Sequence, residues 1–258
     1  MIRSRLFAIL AIALLTFFSS YSGLSAAELE EIQRRGKLIV AVKDNTRPMG
    51  FIDDENNLTG LEIEIARRLA KDILGDEDAV VLRAVTNEER LKAVIYDEVD
   101  LTIARVSDTA SRRRIVDLSP HYYIDGTGII TKDVTVANAE GLTTSKIAVL
   151  YGSTTIAILR DRLPDAQLIG VDSYQEALTL LENNQAQAFA GDITVLTGWI
   201  QEYSQYKLLP ERLSGEPLSI VMPKGLQHKE LQLAVYNAIS DWRKSGWLQE
   251  RIEYWGLP

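Results

Sequence analysis

Alternating strand-like and helix-like hydrophobic patterns restrict the fold of this chain more than any other feature of its sequence. Short apolar, β-rich runs occupy residues 38–42, 80–85 and 99–103. Between these runs, residues 61–73 and 88–95 have the apolar spacing of amphipathic helices. Successive β-α-β units are typical of mainly parallel sheets flanked by helices. The first hundred residues of this region therefore predict one α/β lobe.

The same alternation begins again in the second half of the chain. Strand patterns alternate with helix patterns at residues 146–150, 152–163, 167–171, 174–183, 186–190 and 193–203. Two blocks of similar size follow one another, so we predict two α/β lobes, each with a mainly parallel sheet.

Two extended segments connect the predicted lobes. Residues 126–132 form a Gly-interrupted β-rich run between the blocks, and residues 218–223 form a second one after them. We predict that these are hinge strands and that the helix pattern over residues 229–242 returns to the first lobe. The predicted organisation is a leader over residues 1–27, lobe one over 28–128, lobe two over 129–218 and a return segment over 219–258.

The first 27 residues have the pattern of a secretory signal peptide. Arg3 and Arg5 precede an apolar run over residues 6–18, and small residues at 25–27 precede the acidic Glu28. The apolar run is shorter than the roughly 20 residues that a spanning helix needs. We expect cleavage near Ala27 and a periplasmic protein, the alternative being an uncleaved N-terminal anchor.

Composition excludes several classes of protein. The chain has no cysteine, which excludes a disulfide scaffold, thiol chemistry and a lipid anchor on cysteine. His121 and His228 are far apart and lack ligand spacing, so we expect no metal and no cofactor. Without the two arginines of the leader, 26 basic side chains face 36 acidic ones, a net charge of −10. A basic nucleic-acid-binding surface is therefore not expected.

Polar and charged residues follow the predicted strands, where open α/β sheets bind ligands. An arginine can bind a carboxylate through two hydrogen bonds, and the start of a helix offers free N–H groups to an anion. A carboxylate suits an ammonium group. Arginines, hydroxyl residues and an acid follow the predicted strands. They are Arg47, Arg105, Ser107, Ser153, Thr154 and Asp192.

A set of short motifs stands in a fixed order along the chain. They are GKLIVAV at residues 36–42, PMGF at 48–51, GLEIEIA at 60–66, VDLTI at 99–103, Arg112 and LSPHYY at 118–123, closed by Gly246 and Trp255. Each motif alone is weakly specific. The ordered set, from about residue 30 to 256, resembles the amino-acid-binding proteins of ABC importers, the family 3 extracellular solute-binding proteins.

The resemblance implies a type II periplasmic binding fold, a two-lobe monomeric clamp that closes on one free amino acid and delivers it to a membrane permease. Arg112 matches the arginine that holds the ligand α-carboxylate, and Ser107 the hydroxyl position beside it. Asp192 matches the acid that holds the α-ammonium. Ser153 and Thr154 match a turn that donates to the carboxylate. A surface charge for Arg112 and helix capping for the other four are the alternatives.

Departures from the family pattern bear on the ligand's side chain. Asn87 stands where members that bind basic amino acids tend to carry an aromatic platform. Arg90 stands where members similar to aspartate and glutamate binders carry an arginine. Arg47 and Arg105 add positive charge at strand ends. We therefore predict an acidic or polar amino acid, unless these arginines point to solvent or pair with surface acids.

Two other functions remain open at this point. Some proteins of this fold resemble exported dehydratases that act on prephenate or arogenate, and these need a general acid or base in the cleft. Asp192 and Asp44 are the candidates, and amino-acid binding explains both. A sensor domain of a membrane receptor is the third possibility, and no membrane-spanning pattern follows residue 27. A non-catalytic receptor is the favoured interpretation.

Overall fold

The computed structural model describes residues 28–258, so the predicted signal peptide lies outside the described residues. Within them the strands in chain order are β1 (Leu38–Val42), β2 (Asn45–Thr46), β3 (Gly50–Ile52), β4 (Leu58–Thr59), β5 (Val80–Ala84), β6 (Leu101–Ile103), β7 (Asp117–Leu118), β8 (Tyr123–Asp125), β9 (Thr127–Thr131), β10 (Lys146–Leu150), β11 (Gln167–Val171), β12 (Ala188–Asp192), β13 (Lys207–Leu208), β14 (Glu216–Leu218) and β15 (Val221–Met222).

The helices of the same region flank two sheets. In chain order they are α1 (Leu29–Arg35), α2 (Leu61–Leu74), α3 (Glu89–Ile95), α4 (Thr155–Arg162), α5 (Tyr174–Glu182), α6 (Ile193–Glu202), α7 (Lys229–Lys244) and α8 (Trp247–Tyr254), with 3₁₀ turns at Arg112–Arg114, Ala139–Leu142 and Leu226–His228. No helix among residues 28–258 has the length and apolar character needed to cross a membrane.

The first lobe is built on a five-stranded sheet of order β5-β1-β6-β15-β7. β1 is parallel to both of its neighbours, and β15 is antiparallel to both of its own. The interior strand β1 is apolar along its whole length, as expected for a parallel strand covered on both faces. Helices α2, α7 and α8 share one core with this sheet, through buried residues such as Leu69, Val235 and Ile252.

Gly60 sets the start of α2 and its place against the small sheet β2-β3-β4. Its φ of 125° lies in the region that favours glycine, and a Cβ there would collide with the carbonyl oxygen of Met49. The helix then buries Leu61, Ile65 and Leu69 on one side. The spacing that the sequence predicts for this helix is confirmed.

The second lobe has a five-stranded sheet of order β11-β10-β12-β9-β13. β10 is parallel to β11 and β12, whereas β9 is antiparallel to β12 and β13. One face packs around Phe189, Leu196 and Trp199, and the other around Ile147 and Val149. The predicted two-lobe α/β architecture is confirmed, and each sheet is mixed, with two parallel and two antiparallel strand pairings.

A two-stranded antiparallel ribbon, β8 with β14, links the lobes and pairs Tyr123 with Leu218 and Asp125 with Glu216. The prediction placed the first crossing strand at residues 126–132, but most of that segment is β9 of the second sheet. The chain crosses just before it, at Gly126. A short apolar β-rich run looks the same whether it crosses between lobes or lies inside a sheet, and this similarity accounts for the difference.

Candidate functional site

A cavity of about 450 Å³ lies between the two lobes. Its first-lobe wall follows the carboxyl ends of β1, β5 and β6, where an open α/β sheet presents loops to a ligand. Its second-lobe wall comes from the first turns of α5 and from one face of α6 along its length. The first wall is polar and basic, formed by Lys43, Asn45, Thr46, Arg47, Asn87 and Arg105. The second wall is mostly apolar and aromatic, formed by Tyr174, Leu178, Val195, Trp199 and Tyr203, with Glu202.

Arg105 joins the two lobes across this cleft. Its Nη2 donates to Asp192 Oδ2 at 2.7 Å and to Asp125 Oδ2 at 3.3 Å. Its backbone N–H donates to Oε1 of the buried Glu62 at 2.6 Å. Burial alone would lower the pKa of Arg105, but Asp125 and then Asp192 raise it overall, so the guanidinium stays charged.

The backbone of Arg105 has a φ of 49°, in the left-handed region that a bulky residue rarely adopts. Residues held in that region usually persist because surrounding interactions over-determine them, and such residues cluster at functional sites. The hydrogen bond to Glu62 and the two carboxylate contacts are the interactions that hold Arg105 there.

Asp192 stands at the N-cap position of α6, yet its side chain makes no capping hydrogen bond. Asp125 performs that task instead: its Oδ1 accepts from Thr194 N at 3.1 Å and its Oδ2 from Thr194 Oγ1 at 2.6 Å. The Asp192 carboxylate is thereby left to face Arg105, with 42% of its side chain exposed. Sequence reasoning missed Asp125, because nothing in a short extended segment marks an acid that caps a distant helix.

Arg112 differs from its two arginine neighbours. It is half-buried and its Nη1 donates to the backbone oxygen of Ser107 at 2.7 Å. Arg113 and Arg114 are exposed, and Arg113 pairs with Asp108. A surface charge in a basic run therefore describes the neighbours better than Arg112.

Glu216 pairs with Asp125 across the interlobe ribbon, and charges from both lobes affect its ionisation. Burial raises the pKa of Glu216, and the charges of Asp192 and Asp125 raise it further. Arg105 and Arg112 oppose that shift. Arg105, Asp125 and Asp192 form a charged cluster between the lobes, and Glu216 is a neighbour of Asp125 that the sequence did not indicate.

Arg90 supports the loop that carries Arg105. Its Nη1 donates to the backbone oxygens of Ala104 at 2.9 Å and Arg105 at 2.7 Å. Burial lowers its pKa, and the charges of Arg112 and Arg105 lower it further. Arg90 is therefore a half-buried residue close to the other two arginines, and it does not appear in the cavity wall.

Arg47 lines the cavity and packs on its own lobe. Its guanidinium carbon lies 3.9 Å from the centre of the Phe51 ring, a cation–π contact. Its backbone oxygen faces Gly198 of α6, where an added Cβ would collide with it. This close approach makes Gly198 one of the points at which the second lobe contacts the first.

Ser153 and Thr154 form the turn before α4. Thr154 is exposed at the N-cap position and makes no capping hydrogen bond through its side chain. Ser153 Oγ is buried and has no hydrogen-bond partner among residues 28–258. Plain helix capping does not describe either side chain, and neither residue contributes to the wall of the interlobe cavity.

Lys43, which sequence reasoning missed, is the most buried cation of the cavity wall, at 6% exposure. Its Nζ donates to the backbone oxygen of Val85 at 2.9 Å. Burial lowers its pKa, Asp44 partly opposes that effect, and Arg90 and Arg105 add to it. Its signal in the sequence is a lysine directly after the apolar strand β1, at the edge where ligands bind.

Aromatic rings shape the second-lobe wall. Trp199 stacks on Phe189 with ring centres 5.3 Å apart, and Tyr174 meets Phe189 edge-on at 5.9 Å. Tyr203 lies 6.0 Å from Trp199. The cluster gives the cavity a rigid apolar side opposite the basic wall.

Comparison with known proteins agrees with this architecture. The model of the bacterial extracellular solute-binding proteins, family 3, matches residues 38–258. The ABC transporter glutamine-binding protein of Bacillus subtilis (strain 168) is 30% identical over 220 residues, which cover 83% of this chain and 81% of that protein. The glutamine-binding protein of Geobacillus stearothermophilus is 33% identical over 198 residues, 74% of each chain.

Among solved structures, an ancestral cationic amino acid solute-binding protein superimposes with a TM-score of 0.76 at 26% identity. The match covers 88% of this chain and 98% of that one. The family match extends over nearly all of the described residues, and it confirms the resemblance carried by the motifs. The chain belongs to the family 3 bacterial extracellular solute-binding proteins.

Proposed function

We propose that this protein is a non-catalytic receptor that captures a free amino acid with an acidic or polar side chain and delivers it to the permease of an ABC transporter. One observation carries the proposal. Arg105, in the first-lobe wall of the interlobe cavity, pairs with Asp192 of the second lobe at 2.7 Å, so opposite charges from the two lobes meet beside the cavity. The names of the two glutamine-binding relatives support an amino acid as the ligand.

The backbone of the ligand would lie between the lobes. Arg112 would bind the α-carboxylate, since its planar fork suits two parallel hydrogen bonds, and Ser107 would add a hydroxyl donor. Ser153 and Thr154 would donate from the second lobe, and the buried Ser153 Oγ, which has no hydrogen-bond partner within residues 28–258, supports that role. Asp192 would accept from the α-ammonium beside its contact with Arg105.

The preference for the side chain rests on the first-lobe wall. Arg47 and Arg105 line the cavity, and Arg90 lies behind Arg105. Against them the wall of the cavity contains one acid, the exposed Glu202. A cationic side chain would meet like charge there, and a charge left unpaired in a closed site is costly. We therefore expect arginine, lysine and histidine to bind less tightly than acidic or amide-bearing amino acids.

Binding without chemistry is supported by the state of the acids in the cleft. A dehydratase acting on prephenate or arogenate needs a free general acid or base within reach of its substrate. Asp125 and Asp192 both contact Arg105, and Asp125 also caps α6. Turnover of arogenate by the purified protein is the outcome that favours the enzyme.

The proposal includes export and a bilobal organisation. Residues 1–27 would be removed as a signal peptide, leaving a monomeric periplasmic protein with its first residue near Glu28. The sequence places residues 28–128 and 219–258 in lobe one and residues 129–218 in lobe two; because β9 pairs in the second sheet, lobe two would begin at residue 127. N-terminal sequencing of the secreted protein tests the cleavage, and a product that keeps residues 6–18 and sediments with membranes contradicts it.

The decisive experiment is a thermal-shift screen of ligand-free protein against the twenty amino acids, followed by calorimetry on every compound that raises the melting temperature. A ligand that binds only the folded state at 100 times its Kd stabilises it by about 2.7 kcal/mol, which is easily detected. We expect glutamate, aspartate, glutamine or asparagine to give the largest shifts. No shift with any amino acid, or the largest shift with arginine or lysine, contradicts the proposal.

A further inference from the structure

Lys43 is a buried cation in the wall of the interlobe cavity, and no role has yet been given to its charge. We infer that Lys43 binds a second anionic group of the ligand and so selects an amino acid with an acidic side chain over its amide counterpart. This inference rests on the proposed function, because it concerns the side chain of the same bound amino acid.

The hydrogen bonding of Lys43 leaves donors for a ligand. An ammonium group has three N–H donors, and among the described residues Nζ of Lys43 uses one, toward the backbone oxygen of Val85. No carboxylate of residues 28–258 lies within 4.0 Å of it. A buried ammonium that faces a neutral carbonyl is poorly compensated, and a ligand carboxylate would compensate it.

The surrounding charges make the need for an anion stronger. Arg90 and Arg105 lie close enough to Lys43 to affect its ionisation, as do Asp44 and Glu62. Glu62 already accepts from Tyr122 and from the backbone of Arg105, both at Oε1. The Arg105 guanidinium is matched by two carboxylates, whereas the Lys43 ammonium is matched by none in the described part of the chain.

The cavity leaves room for this second contact. Arg112, which we assign to the α-carboxylate, does not appear in the wall of the cavity, whereas Lys43 does. The volume of about 450 Å³ lies within the usual range for ligand sites and extends from Lys43 to the rings of Trp199 and Tyr203. The backbone of the ligand and its side chain would therefore meet different cations.

A second lysine provides a matched control. Lys37 precedes β1 as Lys43 follows it, and its Nζ donates to the backbone oxygen of Asp78 at 3.0 Å. Asp78 lies just before β5 and Val85 just after it. The two lysines thus make equivalent ties between the same pair of strands, at opposite ends. Lys37 is exposed and lies away from the cavity, so it has the structural role without the access to ligand.

The test compares Lys43→Met with Lys37→Met by calorimetry against glutamate, glutamine, aspartate and asparagine. Methionine keeps the length of the side chain and removes its charge. We expect wild-type protein to bind one of the two acids more tightly than its amide. Lys43→Met should weaken that acid by roughly 30-fold or more and the amide by less than about 3-fold, since removing one member of a desolvated charge pair has effects of this order.

Lys37→Met should leave all four affinities and their ratios unchanged. Circular dichroism and melting temperature of both variants establish that they fold, and Lys43→Arg, which keeps the charge, should retain preference for the acid. Equal weakening of acid and amide in Lys43→Met assigns Lys43 a structural role and overturns the inference. Tighter binding of an amide by wild-type protein overturns it too, while the proposed receptor function stands. Binding of no amino acid contradicts both.

Discussion

The two walls of the interlobe cavity differ in chemistry. The first-lobe wall is made of loops after parallel strands and carries Lys43, Arg47 and Arg105, whereas the second-lobe wall is made of helix surfaces and carries Trp199 and Tyr203. Charged groups discriminate between ligands of similar shape, because leaving a charge unpaired is costly, while rings supply area that many ligands can use. Selectivity should therefore depend on the first lobe, and the shape of the site on the second.

The largest effect we expect comes from the second-lobe wall. Trp199 is 7% exposed and stacks on Phe189, so Trp199→Ala removes a large ring from the core as well as from the cavity. Such truncations lower the free energy of unfolding by about 3–5 kcal/mol. Chemical denaturation measures the loss, and Tyr254→Ala, at a ring that is 66% exposed, is the control that should stay within about 0.5 kcal/mol.

For Trp199→Ala, affinities for different amino acids should fall by similar factors. A variant that changes the ratio between glutamate and glutamine would assign selectivity to the ring wall and contradict the division between the two lobes.

The second-largest effect concerns the residues that should bind the α-carboxylate and α-ammonium groups shared by all amino acids. Arg112→Ala and Asp192→Ala should each weaken amino-acid binding by about 2–5 kcal/mol, roughly 30-fold to several thousand-fold, since each leaves one ligand charge unpaired. Calorimetry measures the loss. Arg113→Ala is the matched control, because Arg113 pairs with Asp108 within the first lobe. Near wild-type affinity in either cleft variant, with an unchanged circular dichroism spectrum, would remove that residue from the site.

The sequence predicted the elements of regular structure that are long enough to show a period. Strands such as β1 and β10 and helices such as α2 stand where their patterns place them. The small sheet β2-β3-β4 did not appear in the prediction, because strands of two or three residues are too short to establish an alternation.

The candidate site was predictable only where a motif or a strand end marked a residue. Arg105 stands at a strand end, and the structure places its guanidinium between two acids. Asp125 and Glu216 lie opposite each other in the interlobe ribbon, although they are far apart in sequence. Their nearness to Arg105 depends on how the lobes meet, and no local pattern encodes that arrangement. Lys43 was visible as a residue, but its burial was not.

A smaller effect concerns the acid that supports the first-lobe wall. Burial raises the pKa of Glu62 above its usual value near 4.5, while its hydrogen bonds with Tyr122 and with the backbone of Arg105 partly oppose the shift. Between the usual and the raised pKa, the folded protein holds a proton that the unfolded chain has released. The free energy of unfolding therefore falls as pH rises through this window.

Glu62→Gln cannot titrate and should lack this contribution. The measurement is the difference in the free energy of unfolding between wild type and Glu62→Gln, from urea denaturation at several pH values above 4.5. As pH rises, the wild type should lose stability relative to Glu62→Gln. The total loss should be about 1.4 kcal/mol for each unit by which folding raises the pKa of Glu62. If the difference does not change with pH, the pKa of Glu62 is the same in the folded protein and in the unfolded chain, and the expected shift is contradicted.

The smallest effect on stability, and the sharpest test of how the two walls meet, concerns Arg105. Glycine suits a φ of 49°, so Arg105→Gly relieves backbone strain while it removes the contacts with Asp125 and Asp192. Relief of the strain opposes the loss of the ion pair, and Asp125 keeps its hydrogen bonds from Thr194, so we expect the free energy of unfolding to fall by about 2 kcal/mol or less. Closure should respond more strongly, because this ion pair joins the lobes directly. Small-angle scattering of ligand-free protein should give a larger radius of gyration for Arg105→Gly than for wild type, and saturating amino acid should reduce that radius more in the variant. Arg113→Ala, which breaks an ion pair inside one lobe, should leave the radius unchanged. If Arg105→Gly has the wild-type radius with and without ligand, the charged cluster does not hold the lobes together, and other contacts between them, such as those at Gly198 and Gln201, are sufficient.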